Sequence, residues 1–200
     1  MKSHTVLTVL ALVIVMALAA CAPAGSGTPV QTAMPVPATS VPVEPTSTVP
    51  QTGQGPQNAT YIIDGQPVTL VNGKAEQEAA PGSAEKIVTQ YFGNAVELDL
   101  NADGRPDSGF LLTQTTGGSG IFFYVAAATQ NPDGTYQGTN AIFLGDRIAP
   151  QSTNVDPNNP VQFIVNYAER APDEPMTTPP SRGVSRTFKL DNGTLIEVQL

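Results

Sequence analysis

Short apolar, β-branched or aromatic runs follow one another along the chain after residue 60, with polar stretches between them. Near its end, Val184, Phe188 and Leu190 partly alternate with polar neighbours, and Ile196 and Val198 do the same. A period of two places successive side chains on opposite faces of a strand. We therefore expect strands with one buried and one solvated face in this region.

Turn residues separate the apolar runs. Asp64-Gly65 lies between two short β-prone runs and Asn72-Gly73 follows them, and dipeptides of this kind are strong hairpin signals. The sequences TTGGSG, NPDG, DPNNP and DNG mark later turns. Further strands are predicted at residues 95–100, 110–113, 121–128, 141–144, 163–167, 184–190 and 195–198.

Residues 83–92 fit either a helix or a strand. Ser83 is a candidate helix cap, but the residue three positions on is Lys86, so the capping box is missing. Ile87 and Val88 favour a strand, which we prefer. With many short strands and no long helical period, residues 60–200 are predicted to be mainly β, an antiparallel sandwich or partly open barrel preceded by a disordered stalk.

The first 20 residues have the layout of a secretory signal peptide. Lys2 is followed by an apolar run at 6–18 and by two small residues. Residues 18–21, LAAC, resemble the lipobox of bacterial lipoproteins. The resemblance implies that Cys21 is lipidated and becomes the mature N-terminus, with acyl chains such as palmitate. The alternative, an uncleaved transmembrane helix, leaves Cys21 unexplained.

Lipidation would place the protein on the cell membrane or outer membrane, facing outside the cytoplasm, because two or three acyl chains anchor a protein firmly. Residues 21–59 then form a linker rich in proline, threonine and serine. Apart from Glu44 the linker is uncharged, and it has too few large apolar residues to bury a core. The predicted organisation is a signal peptide at 1–20, a lipidated and disordered linker at 21–59, and a single extracytoplasmic β-rich domain at 60–200.

Several chemistries are excluded by residues that the mature domain lacks. The one histidine, His4, lies in the signal peptide, and the one cysteine is Cys21. Ser-His-Asp and Cys-His catalysis, zinc or copper sites built from these residues, and internal disulfides are therefore excluded. The absence of tryptophan weakens a carbohydrate-binding interpretation, although tyrosines could supply stacking surfaces. A net charge of −8 argues against nucleic acid as a partner.

Carboxylates remain as candidates for catalysis. Glu169, Asp173 and Glu174 lie in the proline-rich stretch YAERAPDEPMTTPPSRG. Two acids at a suitable separation could hydrolyse an envelope polysaccharide. The alternative is a solvated loop in which Glu169 pairs locally with Arg170. We favour the solvated loop.

The most specific motif is the acidic stretch DLNADGRPD. Oxygen ligands at alternate positions of a tight loop with a central glycine, here Gly104, suit a hard cation such as Ca²⁺. The motif resembles the DxNxDG loops of EF-hands, dockerins and the calcium-binding repeats of secreted bacterial proteins. The candidate ligands are Asp99, Asn101, Asp103, the backbone carbonyl of Arg105, and Asp107.

Two features weaken the calcium interpretation. Phe110 stands where an EF-hand has a bidentate glutamate, so Glu97 or another part of the fold would have to supply that ligand. Pro106 and the predicted flanking strands also differ from an EF-hand. The loop is therefore predicted to be either a weak structural calcium site or a hairpin turn that uses Asp and Asn for turn chemistry alone.

The order of motifs over residues 60–200 resembles uncharacterised bacterial lipoproteins and secreted domains. The resemblance rests on the acidic loop followed by FLLTQ, a glycine-rich turn, FFYVAAA, NAIFLGDRIAP and FIVNYAERAPDEPM, and it implies no activity. We expect a non-catalytic, lipid-anchored envelope protein with an unknown envelope or extracellular partner. The alternatives are a polysaccharide hydrolase using paired carboxylates and a solute-binding or inhibitory module.

Overall fold

The computed structural model describes residues 55–199, so the predicted signal peptide, Cys21 and most of the linker lie outside the described residues. A short 3-10 turn, Pro56–Asn58, precedes twelve strands. The strands are β1 (Thr60–Ile63), β2 (Gln66–Thr69), β3 (Lys74–Glu78), β4 (Lys86–Leu98), β5 (Asp107–Thr115), β6 (Phe122–Gln130), β7 (Tyr136–Gly138), β8 (Ile142–Asp146), β9 (Ala149–Asp156), β10 (Asn159–Glu169), β11 (Arg182–Asp191) and β12 (Thr194–Glu197).

The strands form three antiparallel sheets. β1 and β2 make a hairpin, β9 to β12 make a four-stranded sheet in the order β12-β11-β10-β9, and the remaining six strands make the largest sheet. That sheet has the order β3-β4-β5-β6-β7, and β8 also pairs with β6. None of these sheets is closed into a barrel over residues 55–199. The prediction of a mainly β, antiparallel fold is therefore confirmed.

Turn chemistry explains the hairpins. Asp64 and Gly65 have φ angles of 50° and 78°, and Asn192 and Gly193 have φ angles of 49° and 78°. These left-handed conformations match the twist of two-residue hairpins, and Asn, Asp and Gly are the residues that adopt them most readily. The predicted hairpin at Asp64-Gly65 is the β1–β2 turn, and DNG is the β11–β12 turn.

Two apolar layers cover opposite faces of the six-stranded sheet. On one face, Leu111 and Val125 pack with Phe163 and Phe188 of the four-stranded sheet. On the other face, Phe110 packs with residues of the β1–β2 hairpin, including Tyr61, Val68 and Leu70. Strands β5 and β6 are therefore buried on both faces over most of their length. The β1–β2 hairpin covers the second face of these two strands, whereas a pattern of one buried and one solvated face was expected for the strands near the end of the chain.

The ambiguous stretch at 83–92 is a strand from Lys86 onward, as preferred from its β-branched and aromatic residues. Strands β3, β7 and β9 had no apolar signal in the sequence. β3, for example, is KAEQE and is almost fully exposed at the edge of its sheet. Among residues 55–199, no helix has the length and apolar character needed to cross a membrane.

Candidate functional site

The acidic stretch DLNADGRPD spans the hairpin that joins β4 to β5, and we call residues 99–106 the acidic loop. Two of its residues have left-handed backbone conformations: Ala102 has a φ of 58° and Gly104 a φ of 84°. A Cβ added at Gly104 would meet no atom within 4 Å. The glycine is therefore required by its backbone conformation and not by crowding.

The side chains of the acidic loop fold its backbone into a tight turn. Asp99 accepts hydrogen bonds from the N–H of Asp103 at 3.0 Å and of Gly104 at 2.8 Å. Asn101 Oδ1 also accepts from the Asp103 N–H, at 3.1 Å, and Asp103 Oδ1 accepts from the Arg105 N–H at 2.9 Å. Three of the predicted ligands therefore lie together in one turn, with their oxygens directed at backbone donors.

Asp107 has a different position from the other predicted ligands. It is the first residue of β5 and is completely buried. Its Oδ2 accepts from the Leu100 N–H and its Oδ1 from the Gln130 N–H, both at 2.9 Å. Burial raises the pKa of Asp107, while the backbone donors act in the opposite direction. Asp107 therefore joins the base of the acidic loop to the end of β6.

Arg105 supplies the positive charge next to the acidic loop. Its Nη2 donates to Asp103 Oδ2, and its Nε donates to the Gln130 carbonyl at 2.8 Å. The guanidinium is thus held between the loop and β6, the strand that Asp107 also contacts. It neutralises the charge of Asp103, so a cation bound at Asp103 would have to compete with it.

The acidic loop carries the carboxylate and amide oxygens that calcium prefers, but these oxygens accept hydrogen bonds from backbone N–H groups. Within residues 55–199, no group of three or more His, Cys, Asp or Glu side chains is placed to hold a metal ion. Phe110 is fully buried in the apolar layer, and Glu97 lies exposed on β4 opposite Ser108. Calcium binding stays a prediction, while the hairpin geometry of the loop is present.

A cavity of about 460 Å³ adjoins the acidic loop. Sequence patterns did not indicate it, because its walls come from separated segments that only the sheet pairing brings together. The Thr139 hydroxyl in its wall already has two hydrogen-bond partners within the protein: it accepts from the Ala127 N–H and donates to the Asn140 carbonyl. The lining residues are Leu100, Asn101, Ala102, Thr129, Gln137, Gly138, Thr139, Val161, Leu190, Asn192 and Gly193.

The second group of candidate residues lies at the end of β10, where Glu169 is the last residue, and in the loop between β10 and β11, which carries Asp173 and Glu174. Glu169 pairs with Arg182 across these strands, so the expected local pairing with Arg170 was wrong. Arg170 instead donates to backbone carbonyls, including that of Arg147 at 2.9 Å. The antiparallel register places Arg182 directly opposite Glu169, and this decides the partner.

Glu169 and Glu174 line a cavity of about 270 Å³ together with Asp146, whereas Asp173 does not line it. Glu174 accepts from the Ala171 N–H at 2.8 Å. Asp146 is paired with the neighbouring arginine, Arg147, which lowers the pKa of the aspartate. A general acid needs a raised pKa, so the electrostatics at Asp146 are the opposite of what glycoside hydrolysis requires.

Comparisons with known proteins give no match to a protein-family model, to a curated protein or to a solved structure. The resemblance to uncharacterised lipoproteins therefore stays a prediction. Function has to be inferred from the residues and their geometry.

Proposed function

We propose that the chain is a non-catalytic, lipid-anchored protein of a bacterial envelope with a binding or structural role. The observation that carries the proposal is the sequence LAAC at residues 18–21, directly after a signal-like apolar run. The lone cysteine of the chain stands at the position where a lipoprotein is acylated. This agreement of position and residue type accounts for Cys21 without a catalytic or disulfide role.

Support for a non-catalytic role comes from the carboxylates of the β-rich domain. Asp107 is buried and bound by backbone donors, and Glu169 and Asp146 are paired with arginines. Because histidine and free cysteine are absent from residues 60–200, the usual partners for an activated nucleophile are also missing. In this proposal the domain works by binding a partner or by supporting the envelope, and not by catalysis.

Membrane fractionation tests the anchor. The unmodified chain should sediment with membranes and incorporate radiolabelled palmitate, whereas Cys21→Ser should do neither. Ser26→Ala, a change in the same linker, is the matched control and should behave like the unmodified chain. Sedimentation of Cys21→Ser with membranes would refute the lipid anchor.

We also propose that the acidic loop holds a weak structural calcium ion through Asp99, Asn101 and Asp103. Support comes from the three oxygen-bearing side chains that lie together in one turn and from the left-handed backbone conformation of Gly104 at its centre. Calcium sites in extracellular modules have dissociation constants of roughly 0.1–1 mM. At ten times that concentration, the ion adds about 1.4 kcal/mol to the free energy of unfolding.

Thermal melting with calcium or with a chelator tests this second proposal. Calcium should raise the melting temperature by a few degrees, and Asp103→Asn should abolish the shift. Asp133→Asn is the matched control, because Asp133 also accepts a backbone N–H within an exposed turn. Arg105→Met should enlarge the shift, since it removes the competing guanidinium. Equal melting temperatures with calcium and chelator would leave only the hairpin turn.

A further inference from the structure

A second cleft, of about 440 Å³, lies on the six-stranded sheet where β3, β4 and β5 run side by side. We call it the Phe92 cleft. It is separate from the acidic loop and from the β10–β11 loop, and none of the residues predicted to form a site belongs to it. Its lining residues are Gln57, Asn72, Gly73, Lys74, Gln90, Tyr91, Phe92 and Thr113.

The strand register builds the floor of the Phe92 cleft. Lys74 pairs with Gln90, Gln90 pairs with Thr113, and Thr113 pairs with Phe123. Directly opposed residues share one face of a sheet, so these four side chains form a row across four strands. Phe92 is two residues beyond Gln90, and its ring packs edge-to-face on Phe123 with centroids 5.3 Å apart. An aromatic ring therefore lies beside a row of hydrogen-bonding side chains.

Phe92 is unusually accessible for a large aromatic side chain. It is 48% exposed although it contacts the core residue Phe123. The pairing of β4 with β5 shifts register at Phe92, between Tyr91 and Gly93, and again before Val96. Gly93 has a φ of 93° and Asn94 a φ of 51°. Bulges of this kind redirect side chains and are common next to binding sites.

The polar groups in the Phe92 cleft are available to a ligand. Among the described residues, the side chains of Gln57, Gln90 and Thr113 have no hydrogen-bond partner, and none of their polar atoms is buried without one. Two amides and a hydroxyl can each both donate and accept hydrogen bonds. The cleft therefore offers a mixed set of donors and acceptors in place of a single charged anchor.

The charge of the lining points to an uncharged ligand. Of the described residues that line the cleft, Lys74 alone is charged, and its ammonium pairs with Glu76 Oε1 at 2.6 Å. Among residues 55–199, no carboxylate lines the cleft, so these residues offer no anchor for a cation. An anion would have to displace Glu76 and approach a protein whose net charge is −8.

We propose that the Phe92 cleft binds a neutral saccharide. A sugar ring has an apolar face of C–H groups, which suits the exposed ring of Phe92, and hydroxyls around its rim, which suit Gln90 and Thr113. The volume lies within the range of small-ligand sites, roughly 300–1,000 Å³. The inference rests on the proposed envelope location, where polysaccharides are neighbours, and it specifies the class of partner for the proposed binding role.

Titration of the full chain with neutral oligosaccharides tests the proposal. The chain is kept in a detergent without a sugar headgroup, and α-glucan, β-glucan and chitin oligosaccharides are titrated by calorimetry. At least one class should bind with a dissociation constant below about 1 mM. Phe92→Ala should weaken that binding by about tenfold or more, because it removes the aromatic contact. Phe143→Ala is the matched control, since Phe143 is also 48% exposed but lies on β8.

Gln90→Ala separates binding from folding. Gln90 is exposed and makes no side-chain bond within the described residues, so this variant should keep its melting temperature and still bind several-fold more weakly. The inference is overturned if no neutral oligosaccharide binds, or if Phe92→Ala and Gln90→Ala bind as the unmodified chain does. An equal loss in Phe143→Ala would also overturn it. Membrane fractionation is unaffected by these changes, so the saccharide site can fail while the anchor stands.

Discussion

Asp107 is the residue whose removal should most clearly affect the acidic loop. Its two carboxylate oxygens accept the N–H groups of Leu100 and Gln130, and its side chain is fully buried. Asp107→Ala leaves both donors without their acceptor, the Leu100 N–H in a buried position and the Gln130 N–H in a partly buried one. The β4–β5 hairpin then loses its attachment to the end of β6.

The expected loss of stability in Asp107→Ala follows from the two backbone N–H groups that lose their acceptor. A buried donor without a partner costs about 1–3 kcal/mol, and the partly buried Gln130 donor costs less than this, so the pair costs about 2–5 kcal/mol. Removal of a buried charge returns part of this cost. We therefore expect Asp107→Ala to lower the free energy of unfolding by about 3 kcal/mol, which corresponds to a fall of about 10 °C in melting temperature for a domain of this size.

Urea unfolding followed by circular dichroism measures this loss, with Asp133→Ala as the control. Asp133 also accepts a backbone N–H, that of Thr135 at 3.0 Å, but it is exposed, so water can replace it. The control should lose far less stability than Asp107→Ala. Equal losses in the two variants, or a loss under about 1 kcal/mol for Asp107→Ala, would refute the role assigned to Asp107.

The pH dependence of Asp107→Asn gives an independent check. Because burial raises the pKa of Asp107, the folded state binds a proton more readily than the unfolded state. The unmodified protein therefore loses stability as the pH rises from 3.8 through the folded-state pKa, whereas the asparagine variant has no such loss. The difference in free energy of unfolding between the unmodified protein and Asp107→Asn should be larger at about pH 4 than at about pH 7. A cost that grows with pH would contradict this sign.

Three further substitutions test the packing and the electrostatics elsewhere in the domain. A Cβ at Gly138 would collide with the Thr60 carbonyl oxygen, whereas one at Gly183 would meet nothing within 4 Å. Gly138→Ala should therefore lower the free energy of unfolding by more than about 2 kcal/mol, and Gly183→Ala should not. Comparative thermal melting checks the pair, and equal melting temperatures would contradict it. Arg186 makes a bidentate contact with Glu197 and lowers the pKa of that carboxyl. The ion pair therefore adds about 1 kcal/mol or less to the free energy of unfolding at neutral pH, and this stabilisation is lost as the pH falls below 4.5. Urea unfolding of Glu197→Gln should therefore differ from the unmodified protein at neutral pH and converge with it in acid, and a constant difference would refute the assignment.

The fold was predictable wherever local chemistry decided it. Asp64-Gly65 and Asn192-Gly193 mark turns because their left-handed backbone conformations are favourable for few residue types. The apolar run at 121–128 marks a strand because its β-branched and aromatic residues suit a sheet. β3, β7 and β9 were missed, since they are short or polar and are held by backbone hydrogen bonds to the adjacent strand of a hairpin, which no apolar pattern reveals.

The candidate sites were predictable to different degrees. The acidic loop was recognisable because its oxygen side chains recur at alternate positions of one short segment. The inward position of Asp107 was not, because it depends on Gln130 of the next strand. The Phe92 cleft left no sequence signal, since Gln90 and Thr113 are neighbours only through the pairing of β4 with β5.

The sequence by itself determined the β character of the domain, its principal turns and the chemistries that it lacks. These properties depend on residue type and short-range periodicity, which are present before the chain folds. Only the tertiary structure decided which carboxylates are buried, which are paired, and which aromatic side chain stays exposed. Burial and pairing depend on strand register, and one register shift places a side chain on the other face of a sheet. Asp107 is buried where β5 begins and contacts the end of β6, whereas Asp133 is exposed in the turn between β6 and β7.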